Sequence, residues 1–212
     1  MRLSLLLLLG AASAIAQPFQ FGIKAGTPLT DFLNTAESGR VDFFTHTNRY
    51  IVGLTAELHL PFGLGIEADG LYRHLNYQST SMGADSLASA STTASDWEFP
   101  ILGKYRFRVP LVHPFMDAGV AFDSLQGVKQ AITKTVLPAL TSHSSTSNPQ
   151  ELQHKTTHGY VVGGGVDIHL AVIHIMPEIR YTRWNAEHFV DVTNSLLHSN
   201  VNQGEFLLGI TF

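Results

Sequence analysis

The chain alternates apolar and polar residues over eight stretches, at 19–26, 50–60, 64–74, 97–108, 115–122, 159–169, 173–183 and 205–212. Successive side chains leave an extended backbone on opposite sides, so a period of two marks strands with two unlike faces. One face carries no charge in any stretch: Phe21 and Ile23, Val52 and Leu54, Ile66 and Ala68, Phe99 and Ile101, Val120 and Phe122, Val162 and Val166, Ile175 and Ile179, and Phe206, Leu208, Ile210 and Phe212. The other face carries Lys24, Glu57, His59, Glu67, Asp69, Arg73, Glu98, Lys104, Arg106, Asp117, Asp167, His169, Glu178 and Arg180 among small residues such as Gly22, Gly53, Gly119, Gly163 and Gly165. Acids and bases mixed on one face suit a narrow enclosed space, where buried charge survives only when paired. The pattern predicts an all-β fold, an eight-stranded antiparallel up-and-down barrel. Its lumen is expected to hold a structural charge network of Glu57, Glu67, Asp69, Arg73, Lys104, Arg106, Asp117, Glu178 and Arg180.

Which face points inward separates two classes. A soluble, lipocalin-like ligand-binding barrel encloses its apolar face, whereas a transmembrane barrel turns that face out. Aromatic residues sit at both ends of the apolar face, with Tyr50, Tyr72, Trp97, Tyr160 and Tyr181 toward one rim and Phe19, Phe107 and Phe212 toward the other. Interfacial girdles of membrane barrels have that arrangement. Connections alternate in length: short at 61–63, 109–114 and 170–172, long at 27–49, 75–96, 123–158 and 184–204. Short turns on one side and long loops on the other are expected of a barrel in the bacterial outer membrane, with loops extracellular and both termini periplasmic. The Ser- and Thr-rich stretches 79–95 and 142–158 are read as mobile surface loops.

Composition narrows this further. Arg2, the apolar run 3–10 and the small residues Ala14 and Ala16 predict a cleavable secretory signal peptide at 1–16, leaving a barrel domain at 17–212. The apolar run is too short for a spanning helix, which needs roughly 20 residues. The chain has no cysteine, so neither a disulfide framework nor a lipoprotein anchor is expected. Charged residues make up 14%, sparse for a soluble domain. A net charge of −4 argues against a nucleic-acid partner.

Two prolines, Pro100 and Pro177, fall inside predicted strands, where each removes a ladder hydrogen bond, so a bulge or gap is expected at both. The segment Trp97-Glu98-Phe99-Pro100-Ile101-Leu102-Gly103-Lys104-Tyr105-Arg106-Phe107 resembles a strand common in the outer-membrane β-barrel domain family. Pro114-Phe115-Met116-Asp117-Ala118-Gly119 and Pro177-Glu178-Ile179-Arg180-Tyr181 look like its fifth and seventh strands. The ending Phe206, Leu208, Ile210, Phe212 is similar to the C-terminal signal recognised by the barrel-insertion machinery. The resemblance implies a small OmpA- or OmpX-like barrel with outer-membrane lipids, lipopolysaccharide and the insertion machinery as partners, and a monomer. The third long loop is longer than such a small barrel usually carries, and the family shares no single activity.

Candidate chemistry is thin. The chain has 11 histidines, of which His46, His143, His154, His158, His188 and His198 lie in long connections. His154 and His158 are four apart, which would align them on a helix, but that stretch reads as loop and no His-Glu-x-x-His motif exists; the loop histidines are read as solvated, with no metal and no cofactor expected. His198 and Ser199, followed by Glu205, invite comparison with lipid A-modifying, deacylase-like barrel enzymes. Adjacent residues on a strand point to opposite faces, which a nucleophile and its base cannot do. The expectation is therefore a non-enzymatic barrel with no catalytic residues.

Overall fold

The computed structural model describes residues 19–35, 41–45, 49–83, 85–109, 112–136, 140–170, 172–190 and 197–212. The predicted signal peptide and its cleavage residues Ala14 and Ala16 lie outside them, as does His46.

The described residues form twelve strands: β1 (Phe19–Pro28), β2 (Leu33–Thr35), β3 (Val41–Thr45), β4 (Ile51–His59), β5 (Leu64–Met82), β6 (Ser86–Arg106), β7 (Val112–Val136), β8 (Leu140–Thr146), β9 (Thr156–Leu170), β10 (Ile173–Trp184), β11 (Leu197–Ser199) and β12 (Asn202–Thr211). Eight of them build the barrel in the order β4, β5, β6, β7, β9, β10, β12, β1. All its pairings are antiparallel, and β1 closes the ring by pairing with both β4 and β12. Closure leaves the barrel itself without an edge.

The apolar stripe faces out. Leu54 is 68% exposed and Ile101 49%, while Glu67 and Arg180 are each 0% exposed. A lipocalin-like arrangement is thereby overturned. Aromatic residues line up on the outer face, with the Tyr72 and Trp97 rings 5.1 Å apart and those of Tyr105 and Phe107 5.0 Å apart. Among the described residues no helix is long and apolar enough to cross a membrane, and crossing by strands needs none.

Both internal prolines sit at gaps. The β5–β6 ladder pairs Ala68 with Ile101 and resumes at Leu71 and Glu98, skipping Pro100 in unchanged register. The β9–β10 ladder pairs Ile175 with Ile168 and resumes at Glu178 and Gly165, skipping Pro177. Each proline's missing N–H thus falls where no ladder bond is made.

Strands run further than expected. The stretch 79–95, expected to be a mobile surface loop, is mostly paired strand. β5 and β6 stay paired through Tyr77–Thr92 to Met82–Leu87. β7 likewise continues past Phe122, and β8 and β3 flank the extension as edges. The result is a five-stranded blade standing beyond the barrel. A register shift lies between Thr93 and Ser95 of β6, opposite Gly127 of β7, whose φ is +60°. A glycine in that left-handed conformation is the hallmark of a G1-type bulge. It flips the parity of β7: Asp117, Ala121, Asp123 and Leu125 point inward before it, Val128 and Gln130 after it.

Candidate functional site: a charged lumen under a closed lid

An eight-stranded barrel leaves an interior that side chains can fill, and here ionic and apolar layers fill it. Lys24 on β1 is the central cation, with Nζ 2.5 Å from Glu67 Oε1, 2.9 Å from Glu178 Oε2 and 3.1 Å from Asp69 Oδ2. Arg180 on β10 donates to the same three carboxylates: Nε to Glu178 at 2.7 Å, Nη2 to Asp69 at 2.9 Å and to Glu67 at 3.2 Å. Lys104 on β6 donates to Glu67, and its Nζ lies 3.6 Å from Glu57. Lys104 also sits 4.2 Å above the Phe115 ring. Three cations therefore share a few carboxylates drawn from different strands, which a flat sheet could not arrange.

Below this centre, toward the short turns, Arg106 grips Glu57 with both terminal nitrogens and reaches Asp167 through Nε at 3.1 Å. His174 Nδ1 lies 2.9 Å from Asp167, and its Nε2 lies 3.0 Å from Gln20. Glycines make space for these long side chains. A Cβ at Gly65 would come within 2.6 Å of Glu57 Oε1, and one at Gly163 within 2.5 Å of Asp117 Oδ1.

Above the centre, toward the long connections, Arg73 Nε donates to Asp96 at 2.6 Å, and its Nη1 lies 3.6 Å from Glu205. Glu98 and Asp123 are buried at the same level. Here acids outnumber bases.

The predicted network residues Glu57, Glu67, Asp69, Arg73, Lys104, Arg106, Glu178 and Arg180 are brought together by these bonds. Asp117 faces the same lumen at 4% exposure, but neither carboxylate oxygen has a hydrogen-bond partner among the described residues. The predicted set leaves out Lys24, Asp96, Glu98, Asp123, Asp167 and Glu205, all buried. Strand parity was the signal for each. Asp96 and Asp123 lie one step beyond the predicted strand ends, in step with Glu98 and Ala121.

The long connections are not solvated at the barrel mouth. They close it. β2 pairs with β11, and Phe32, Leu33, Phe189 and Leu197 from these segments pack into a dry cluster with Leu75, Tyr77, Leu125 and Val128 of the barrel wall. Backbone bonds tie the lid: Asn200 N–H donates to Phe32 O at 2.8 Å, and Ser199 N–H to Phe189 O at 2.9 Å. The lid also touches the charges directly. The Phe32 ring lies 4.7 Å from the Arg73 guanidinium carbon and stacks on His188 at 6.1 Å. His188, expected to be solvated, is buried. Its Nδ1 donates to His154 O at 2.7 Å, and its Nε2 lies 2.9 Å from Asp123 Oδ2. Burial holds the imidazole below its ordinary range, with the His154 carbonyl bond opposing that shift.

The remaining candidates do not converge. His198 Nδ1 lies 3.1 Å from Glu187, the buried Ser199 hydroxyl accepts the Phe189 N–H at 2.9 Å, and Glu205 faces Arg73 in the lumen. A nucleophile–base–acid relay is absent from that set. His143 lies against Thr133 and His158 against Asn185. Among the described residues no group of three or more His, Asp or Glu is arranged to hold a metal. Phe206 and Leu208 are each 39% exposed on the outer face of β12, and Phe212 is 72% exposed.

A family model described as outer membrane protein beta-barrel domain matches residues 15–183. No curated protein matches the chain in sequence. Among solved structures the chain is similar to the outer membrane protein OprG from Pseudomonas aeruginosa, at 12% identity over 91% of this chain and 92% of that one, with a TM-score of 0.48. It is similar to Neisserial surface protein A at 13% identity over 92% and 96%, with a TM-score of 0.42. It is also similar to the attachment invasion locus protein Ail of Yersinia pestis, at 9% identity over 91% and 97%, with a TM-score of 0.39.

Proposed function

The chain belongs to the outer membrane protein beta-barrel domain family, and from that premise we propose that it is a non-enzymatic, non-conducting barrel that serves the envelope from its outer surface. The carrying observation is the filled lumen, with fully buried Lys24, Glu67, Lys104 and Arg180 at its centre and the Phe32–Phe189–Leu197 cluster across one mouth. A pore needs a continuous aqueous path, and these side chains occupy it. In this reading the long connections and the blade face the exterior, and the short turns and both termini face the periplasm. The outer stripe meets membrane lipid and lipopolysaccharide, the barrel works as a monomer, and Phe206, Leu208, Ile210 and Phe212 form the segment read by the insertion machinery.

The test is conductance across planar lipid bilayers, run beside heat-dependent gel mobility that reports folding. Folded, heat-modifiable protein is expected to give no steady channel at neutral pH. Stable, ion-selective steps from the same preparation would overturn the closed-lumen reading. Release of fatty acid from lipopolysaccharide by the purified protein, lost on His198→Ala, would restore the enzyme.

A further inference from the structure

On the inward face of β5 the side chains change abruptly in size. Leu75 and Tyr77 fill the lid cluster, and the next residues on that face, two and four further on, are only Ser79 and Ser81. Their cross-strand partners on β6 are Ala90 and Ala88. Four small side chains in two facing pairs leave a hollow on the blade above the lid. The chain between β8 and β9 closes its open side. That segment is held by Leu152 N–H donating to Pro149 O at 3.1 Å, Val190 N–H donating to Glu151 O at 2.8 Å, and a bridge between Leu152 and Phe189. The hollow has a volume of about 450 Å³, within the roughly 300–1,000 Å³ usual for small-ligand sites.

Its chemistry is selective. Ser79 and Ser81 contribute hydroxyls, while Asn148 and Gln150 contribute amides, groups that each donate and accept hydrogen bonds. Ala88, Ala90 and Ile132 supply apolar surface. Among the described residues no lysine or arginine lines it. Glu151 brings the single charge among the described lining residues, and it has no ion pair among the described residues. Dense two-way hydrogen-bonding groups beside small apolar patches suit a ring with several hydroxyls and C–H faces. An unpaired carboxylate favours an ammonium and repels an acid.

We infer that this hollow is a binding site for a short saccharide, with an amino sugar preferred over a neutral sugar and an acidic sugar refused. The site is preformed, because its floor belongs to paired strands and its wall is tied to the lid. It is independent of the lumen, so it does not rest on whether the barrel conducts.

Saturation-transfer NMR on the folded protein in detergent micelles tests it, with glucosamine, glucose and glucuronate as the probes. Glucosamine and glucose should receive magnetisation, and glucuronate should not. Ala90→Phe fills the hollow and should abolish transfer to both. Ser89→Phe, on the opposite face of the same strand, should leave both signals. Glu151→Gln, which changes no volume, should weaken glucosamine at least five-fold and glucose less than two-fold. No transfer to wild-type protein, or equal transfer with Ala90→Phe shown folded by heat-dependent mobility, overturns the site. Where Ala90→Phe does not fold, the Glu151→Gln ratio decides instead: an unchanged glucosamine-to-glucose preference overturns the assignment.

Discussion

Replacing Arg180 by methionine tests whether the ionic layer holds the barrel together. Arg180 is 0% exposed and donates to Glu178, Asp69 and Glu67 at 2.7, 2.9 and 3.2 Å. Lys24 pairs with all three of those carboxylates and Lys104 with one of them, Glu67, so removing Arg180 leaves this layer one positive charge short. Methionine fills much of the arginine's volume but leaves one negative charge uncompensated. Unit charges 4 Å apart interact by about 4 kcal/mol at an effective dielectric of 20. Losing one partner of a buried pair costs about 3–5 kcal/mol by experiment. Arg180→Met should therefore lower the unfolding free energy by about 3–5 kcal/mol, read from urea titrations of the protein refolded in lipid vesicles. Adding Glu178→Gln restores neutrality, so the double variant should recover at least about 1 kcal/mol of that loss. A penalty under about 1 kcal/mol for the single variant would show that water reaches the cluster. A double variant as unstable as the sum of its parts would show that charge balance is not what matters.

Three further outcomes follow from the same geometry. Leu54→Arg, at a position 68% exposed on the outer face, should cost about 2–4 kcal/mol in vesicles, and Gln20→Arg, beside His174 in the mouth, clearly less; equal penalties would mean the faces are assigned wrongly. Phe189→Ala should cost about 3–5 kcal/mol of local lid stability, seen as faster amide exchange at 197–199 while heat-dependent barrel mobility persists; unchanged exchange would refute the lid. Because burial lowers the His188 pKa, the opened, hydrated loop binds its proton more tightly, so lid protection should hold above about pH 6.5 and fall as pH drops through the lowered value. His188→Gln should flatten that dependence in protease-accessibility assays between about pH 5 and 8, and an unaltered profile would refute it.

How much of this was legible depended on contrast between faces. Where charged and apolar residues alternate, as from Glu67 to Arg73 or Lys104 to Phe107, strand, facing and burial could all be read from period two. Where both faces are small or weakly polar, as along Ser86-Leu87-Ala88-Ser89-Ala90-Ser91, the period has no amplitude, and paired strand looks like loop. The bulge at Gly127 hid β7 for a second reason. One extra residue reverses which parity points inward, so Val128 and Gln130 fall out of step with Asp123 and Leu125. The lid left no signature at all. Phe32, Phe189 and Leu197 each sit in a short apolar pair with no periodicity around it, and only the tertiary fold shows that they meet.

The lid and the lumen charges are one device because of a single hydrogen bond. His188 Nδ1 faces a carbonyl oxygen, which cannot donate, so Nδ1 carries a proton. Its Nε2 then faces Asp123 Oδ2 at 2.9 Å, and that contact is attractive only when one proton lies between the two atoms. The same closed lid sets the Phe32 ring against Arg73, the cation among Asp96, Glu98, Asp123 and Glu205. Closing the mouth thus sets an imidazole and an aromatic ring against the buried acids, and opening returns both groups to water. Acid supplies a second proton to a His188–Asp123 pair that has been desolvated around one, and the hydrated, open lid accommodates it at lower cost. The barrel wall's charges pair across the middle without the lid, through carboxylates that ordinarily protonate well below a histidine. Acidification should therefore release the lid well before it loosens the barrel.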